Sequence, residues 1–252
     1  MQAARTGGKR CTEPRGGQQQ AHGEPGGGGG GAPTGSPFVL TFRLDEAAWG
    51  GEERTPWKVA GTTVRARVGW VEDDQGSGTP VGAAVTVRNS SVRLALPDRL
   101  DDRLLTPLPD LPLFKAGCGA ATYSLSDPRA RVAQADLVAT YRKGNVLHSV
   151  GLVHWLEEHI SGSSSIAEYS ESVTSVLIYA DRPVTLQYRA ACESSREEPE
   201  FLYTSSSEYD LDLRLQRGWN MLGVGVYASS ARDYDRTSLT VRNSSRRGYW
   251  TP

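Results

Sequence analysis

Three of the four histidines fall within twelve residues, His148-Ser-Val-Gly-Leu-Val-His154-Trp-Leu-Glu-Glu-His159. Imidazole and carboxylate suit zinc or iron, so His148, His154 and His159, with Glu157 or Glu158 folding back, form the first candidate metal set. On a strand, His148 and His154 share a face. The helical metallohydrolase pattern needs two histidines four apart, whereas His154 and His159 are five apart, about 140° around a helix. That motif fails by one residue, and the competing expectation is a set of solvated polar side chains on a strand and its loop.

A second candidate belongs to ligand binding. Trp49 and Trp57 bracket Gly-Gly-Glu-Glu-Arg-Thr-Pro between two strand-like segments. Paired tryptophans on a loop make a platform for a sugar ring or a peptide, and functional residues concentrate on loops. The alternative is that one or both cap the core, as amphipathic aromatics often do.

Other chemistry finds little support. No G-x-S-x-G elbow is present, and Gly162-Ser163-Ser164-Ser165 reads as loop. A G-x-G-x-x-G match inside Gly26–Gly31 is empty, because no strand precedes it and no helix follows. Asp73-Asp74, Asp101-Asp102 and Glu197-Glu198 are adjacent pairs with nothing to separate their environments. No catalytic residue is assigned, and no cofactor is expected.

The three cysteines are Cys11, Cys118 and Cys192, without a CxxC spacing, which argues against structural zinc. Cys118 and Cys192 lie in strand-like segments and either pair or stand as separate buried thiols. Pairing would close a long loop, stabilise by about 4–5 kcal/mol in the chain-entropy model, and imply an oxidising compartment. Cys11 opens a polar Gly/Pro/Gln-rich run and resembles the processed start of a lipid-anchored protein, which makes it the candidate lipidation site. The ten residues before it lack the apolar core of an export signal, and Lys9-Arg10 stands where small apolar residues are expected. The true start is therefore expected upstream.

The elements that would position these groups are strands. Of 252 residues, 38% are hydrophobic and 23% charged, and the net charge is −1. That balance gives no electrostatic footprint for nucleic acid, and no apolar run has the length of a membrane-spanning helix. Residues 1–37 lack aromatics and periodicity and read as a disordered tether. Phe38–Asp45, Thr62–Glu72, Val81–Arg88 and Val92–Leu96 alternate apolar and polar residues. Residues 38–96 are thus a small β domain or the first part of a sandwich.

Prolines 97, 107, 109 and 112 make residues 97–112 a connector, or a crossover packed along a sheet through its leucines. Strand signals resume over 113–252, the main β-sandwich, at Ala120–Leu125, Ala133–Arg142, Asn145–Leu156, Val173–Ala180, Val184–Ala191, Tyr209–Leu215, Trp219–Ala228 and Ser238–Val241. Gly144-Asn145 is a hairpin signal, and Asp181-Arg-Pro183 a second turn. One short helix is expected near Val153–Ile160. The fold class is all-β, an antiparallel sandwich or barrel-like body, in one or two domains. The hexapeptide Thr-Val-Arg-Asn-Ser-Ser occurs at 86–91 and again at 240–245, and both copies carry an Asn-x-Ser glycosylation pattern.

Leu177-Ile-Tyr-Ala-Asp-Arg-Pro-Val-Thr-Leu186 and Tyr209-Asp-Leu-Asp-Leu-Arg-Leu-Gln-Arg-Gly-Trp-Asn220 resemble segments of uncharacterised secreted or lipid-anchored bacterial β-proteins. The resemblance implies a sandwich-like body and a periplasmic, cell-surface or secreted location, and it transfers no catalytic residues. The expected function is that of a non-enzymatic envelope or secreted protein that binds an envelope component or glycan. A metal-binding protein or metal-dependent hydrolase built on the histidines is the alternative, and a carbohydrate-binding module using the loop tryptophans is another.

Overall fold

The computed structural model describes residues 10–11, 37–47, 54–69, 78–110, 121–163, 167–197, 202–231, 234–244 and 249–251. The described residues form seventeen strands: β1 (Arg10–Cys11), β2 (Phe38–Arg43), β3 (Asp45–Ala47), β4 (Arg54–Pro56), β5 (Thr63–Val68), β6 (Thr79–Thr86), β7 (Ser91–Leu96), β8 (Thr106–Pro107) and β9 (Ala121–Leu125), followed by β10 (Arg131–Lys143), β11 (Val146–Ser163), β12 (Ala167–Ala180), β13 (Val184–Glu197), β14 (Leu202–Leu215), β15 (Gly218–Ala231), β16 (Tyr234–Asn243) and β17 (Tyr249–Thr251). The all-β expectation holds.

Thirteen strands form one sheet in the order β1-β13-β14-β16-β15-β12-β11-β10-β5-β6, with β9 on β13, β8 on β10 and β17 on β11. The ladders are antiparallel except β14–β16, which runs parallel. The sheet forks at β10: residues 132–135 pair with β12, and residues 137–143 pair with β11. Beyond the fork, β17 takes up the edge of β11 at residues 153–155.

Two apolar clusters follow from this topology. In the first, β2 and β7 form a separate two-stranded sheet whose Val92, Leu94 and Leu96 meet Ala66, Leu137, Ala139 and Leu152. In the second, Val132, Ile178, Leu186, Leu211, Leu213, Leu215 and Leu222 pack together. Alternate residues of β12 feed the two: Leu177 and Tyr179 enter the first, Ile178 and Ala180 the second. A strand end buried on both faces needs the unbroken apolar run seen at 177–180, since successive side chains leave opposite faces. The segment after β7 carries two short 3₁₀ turns at Asp102–Leu104 and Leu108–Asp110, and it buries Leu100, Leu105 and Leu108.

Turn chemistry fits the sequence at several joints. Gly144 takes φ +62° between β10 and β11, as a two-residue hairpin requires. Asn220 organises the β14–β15 turn: its Oδ1 accepts from Gln216 N at 2.9 Å, and its Nδ2 donates to the carbonyls of Gln216 and Gly218. The two copies of the hexapeptide diverge. Asn89 and Ser90 take φ +48° and +60° in the β6–β7 turn. Asn243 instead ends β16, where its amide exchanges two hydrogen bonds with the backbone of Arg214.

The helix expected near Val153–Ile160 is corrected to strand. These residues lie inside β11, paired with β12 through an irregular register around Glu157. The apolar spacing that suggested a helical turn coincides with that irregularity, where a bulge breaks the period of two.

Candidate functional site

The four long strands from β12 to β15 each have 14 residues, about 46 Å at strand rise. Their proximal halves carry the apolar clusters. Their distal halves, with those of β11 and β16, are rich in Ser, Thr and Tyr, as in Tyr203-Thr-Ser-Ser-Ser-Glu208 and Tyr227-Ala-Ser-Ser230.

A cleft of about 640 Å³ lies across the distal ends of β11, β12, β15 and β16. Its centre is one row of the sheet: Gly162 opposes Tyr169, Tyr169 opposes Ser229, and Ser229 opposes Arg236. Opposed residues project from the same face, so ring, hydroxyl and guanidinium follow one another across three strands. Gly162 is what lets the ring lie there, because a Cβ at that position would stand 2.4 Å from the Tyr169 ring. Tyr169 keeps 46% of its surface exposed. Arg236 is held by Glu208 at 3.1 Å, and this carboxylate raises the guanidinium's already high pKa.

The neighbouring row holds Ser163, Glu168, Ser230 and Asp235. Ser230 and then Tyr203 hydrogen-bond the Asp235 carboxyl and hold it below the usual carboxylate range. Ser206 and Tyr234 pair at 2.7 Å, and Ser194 pairs with Ser205 at 2.8 Å. The Asp235 row and the Ser194–Ser205 pair lie on the opposite face of the sheet from the Tyr169 ring. On the ring's own face, Ser229, Arg236 with Glu208, and the Ser206–Tyr234 pair present donors and acceptors beside one flat ring, an arrangement suited to holding a hydroxyl-rich molecule.

A smaller depression, about 240 Å³, is lined by Tyr123, Tyr188, Arg189 and Asp210. Burial pushes Asp210 up, but hydrogen bonds from Arg242 at 2.5 Å and Arg189 at 3.2 Å win and hold it low.

His148 and His154 do not converge. They share the inward face of β11, yet six residues separate them, about 20 Å along a strand. His148 stacks on Tyr141 with ring centres 5.3 Å apart. His154 is buried, its Nδ1 2.5 Å from Ser175 Oγ and its ring stacked on Trp250 at 4.5 Å. The His159 side chain lies outside the described residues. Among the described residues, no group of three or more His, Cys, Asp or Glu could hold a metal ion.

Trp57 is buried in the first cluster, donating from Nε1 to Thr62 Oγ1 at 2.9 Å and meeting Tyr141 edge-on. That leaves little ring for a ligand, and Trp49 lies outside the described residues. Asp101 caps the first 3₁₀ turn by accepting from Arg103 N. Cys118 is outside the described residues, while Cys192 is disulfide-bonded. No helix among the described residues is long and apolar enough to cross a membrane.

No family model, curated protein or solved structure matches the chain. The Gly162–Tyr169–Ser229–Arg236 row was not singled out from the sequence, because its members come from four strands and join only through register. The signal available was compositional: tyrosines recurring in Ser/Thr-rich strand continuations.

Proposed function

We propose that the protein is a non-enzymatic binding protein of the bacterial cell envelope or the extracellular space, and that its distal sheet takes a carbohydrate. The observation that carries this is the row in which Tyr169 lies over Gly162 beside Ser229 and Arg236. A half-exposed aromatic ring offers a face to the apolar side of a sugar, and flanking hydroxyl, carboxylate and guanidinium groups match its hydroxyls. Ligand sites commonly combine an aromatic surface with a few convergent polar groups. The envelope location rests on the Gly/Pro/Gln-rich N-terminal segment and on the strand-and-turn resemblance at 177–186 and 209–220. A glycan array probed with the full chain and with its Tyr169→Ala and Arg236→Ala variants tests the reading. Retention of a glycan by the parent protein and its loss in both variants is expected, whereas equal retention by all three would reject the site.

A further inference from the structure

Cys11 and Cys192 oppose each other directly in the β1–β13 pair, beside Arg10 opposite Glu193. Opposed Cα atoms in an antiparallel pair lie about 4.5–5.5 Å apart, inside the roughly 4.4–6.8 Å that a disulfide spans. Cys192 is disulfide-bonded, and the edge position beside it is occupied by Cys11. We infer that Cys11 is the partner of Cys192, in place of the expected Cys118.

The bond fixes β1 on an open edge. β9 pairs with residues 186–190 of β13, and β1 continues that coverage at 192–193, where unpaired strand edges invite association. The sulfur of Cys11 is used up in the bond, so it cannot also carry a thioether-linked lipid. In forming the bond the two thiols lose two protons and two electrons to a disulfide of a thiol–disulfide oxidoreductase, which leaves as a dithiol.

The test is peptide mapping of the full chain, made in an oxidising compartment, alkylated without reduction and digested with trypsin. The three cysteines fall in separate peptides, 11–15, 116–129 and 190–196. The expected product is 11–15 joined to 190–196, released by reductant, with 116–129 alkylated and the same link surviving in Cys118→Ser. A 116–129 to 190–196 link, an acylated 11–15 peptide, or three alkylated thiols would each overturn the inference. None of these outcomes bears on ligand binding at the distal row, so the two proposals fail separately.

Discussion

Tyr179 on β12 and Trp219 on β15 stand directly opposite each other and clamp the same short piece of connector. Trp219 Nε1 donates to Pro97 O at 2.9 Å, Tyr179 Oη donates to Asp98 O at 3.2 Å, and the rings meet edge-on at 5.4 Å. The clamp fixes where the chain leaves β7. Trp219→Phe removes one donor and leaves a carbonyl without its partner, a loss of about 1–3 kcal/mol. Tyr179→Phe is expected to cost less, with the double variant non-additive because the rings touch. Urea unfolding of the three variants measures both effects; strictly additive losses would show that the rings act independently.

Asn220 gives a sharper case. Its amide closes the β14–β15 turn with one accepted and two donated hydrogen bonds. Asn220→Ala should cost about 1–3 kcal/mol. Asn220→Asp should cost more at neutral pH, because it points a carboxylate at two carbonyls. A milder effect for the Asp variant in thermal unfolding at pH 7 would contradict the assigned amide orientation.

Asp136 sits at the fork of β10, between the residues paired with β12 and those paired with β11, and opposite Arg67. Burial raises its carboxyl above the ordinary value, and a hydrogen bond from Gln134 only partly offsets this. Arg67 turns its Nη1 to the carbonyl of Gly78 at 3.2 Å. A folded-state pKa above the unfolded one means that this group's contribution is fully present below the unfolded pKa and is lost as pH rises through the folded value. Asp136→Asn should therefore stabilise the fold at pH 7, with the gain shrinking toward pH 3.5. Denaturant midpoints across that range supply the check, and a gain that grows on acidification would refute the assignment.

Gly162→Ala separates stability from binding. The new methyl meets the tip of the Tyr169 ring, which can swing into solvent, so unfolding free energy should move by no more than about 1 kcal/mol. Carbohydrate binding should fall because the ring leaves the row. Unfolding curves and binding isotherms on the same preparation give both numbers, and intact binding would show that ring placement is irrelevant.

Much of the body was legible because alternation is a direct record of which face is buried. Tyr209-Asp-Leu-Asp-Leu-Arg-Leu215 buries Leu211, Leu213 and Leu215 while Arg214 stays exposed. Gly144-Asn145 marked a hairpin because a positive φ was needed there. The strands nonetheless run further than their apolar residues. β14 begins at Leu202 rather than Tyr209, and β13 continues past Ala191 to Glu197. Backbone pairing between neighbours carries those Ser/Thr-rich continuations, and composition alone reads them as loop.

The candidate site was hidden for the same reason. His148 and His154 are near in sequence and far apart on an extended strand, whereas Gly162 and Arg236 share a row through two intermediate strands. Proximity in sequence favoured the first set, and only register reveals the second. The loop tryptophan Trp57 followed the commoner course for an amphipathic aromatic, buried with its indole N–H satisfied.

The most direct test of the binding account is calorimetric titration of the full chain with the glycan that an array selects, repeated with Tyr169→Ala. Saturable binding by the parent protein, weakened at least tenfold in the variant, about 1.4 kcal/mol, is the predicted result. Absence of binding to any glycan, or an unchanged affinity in Tyr169→Ala, would contradict it.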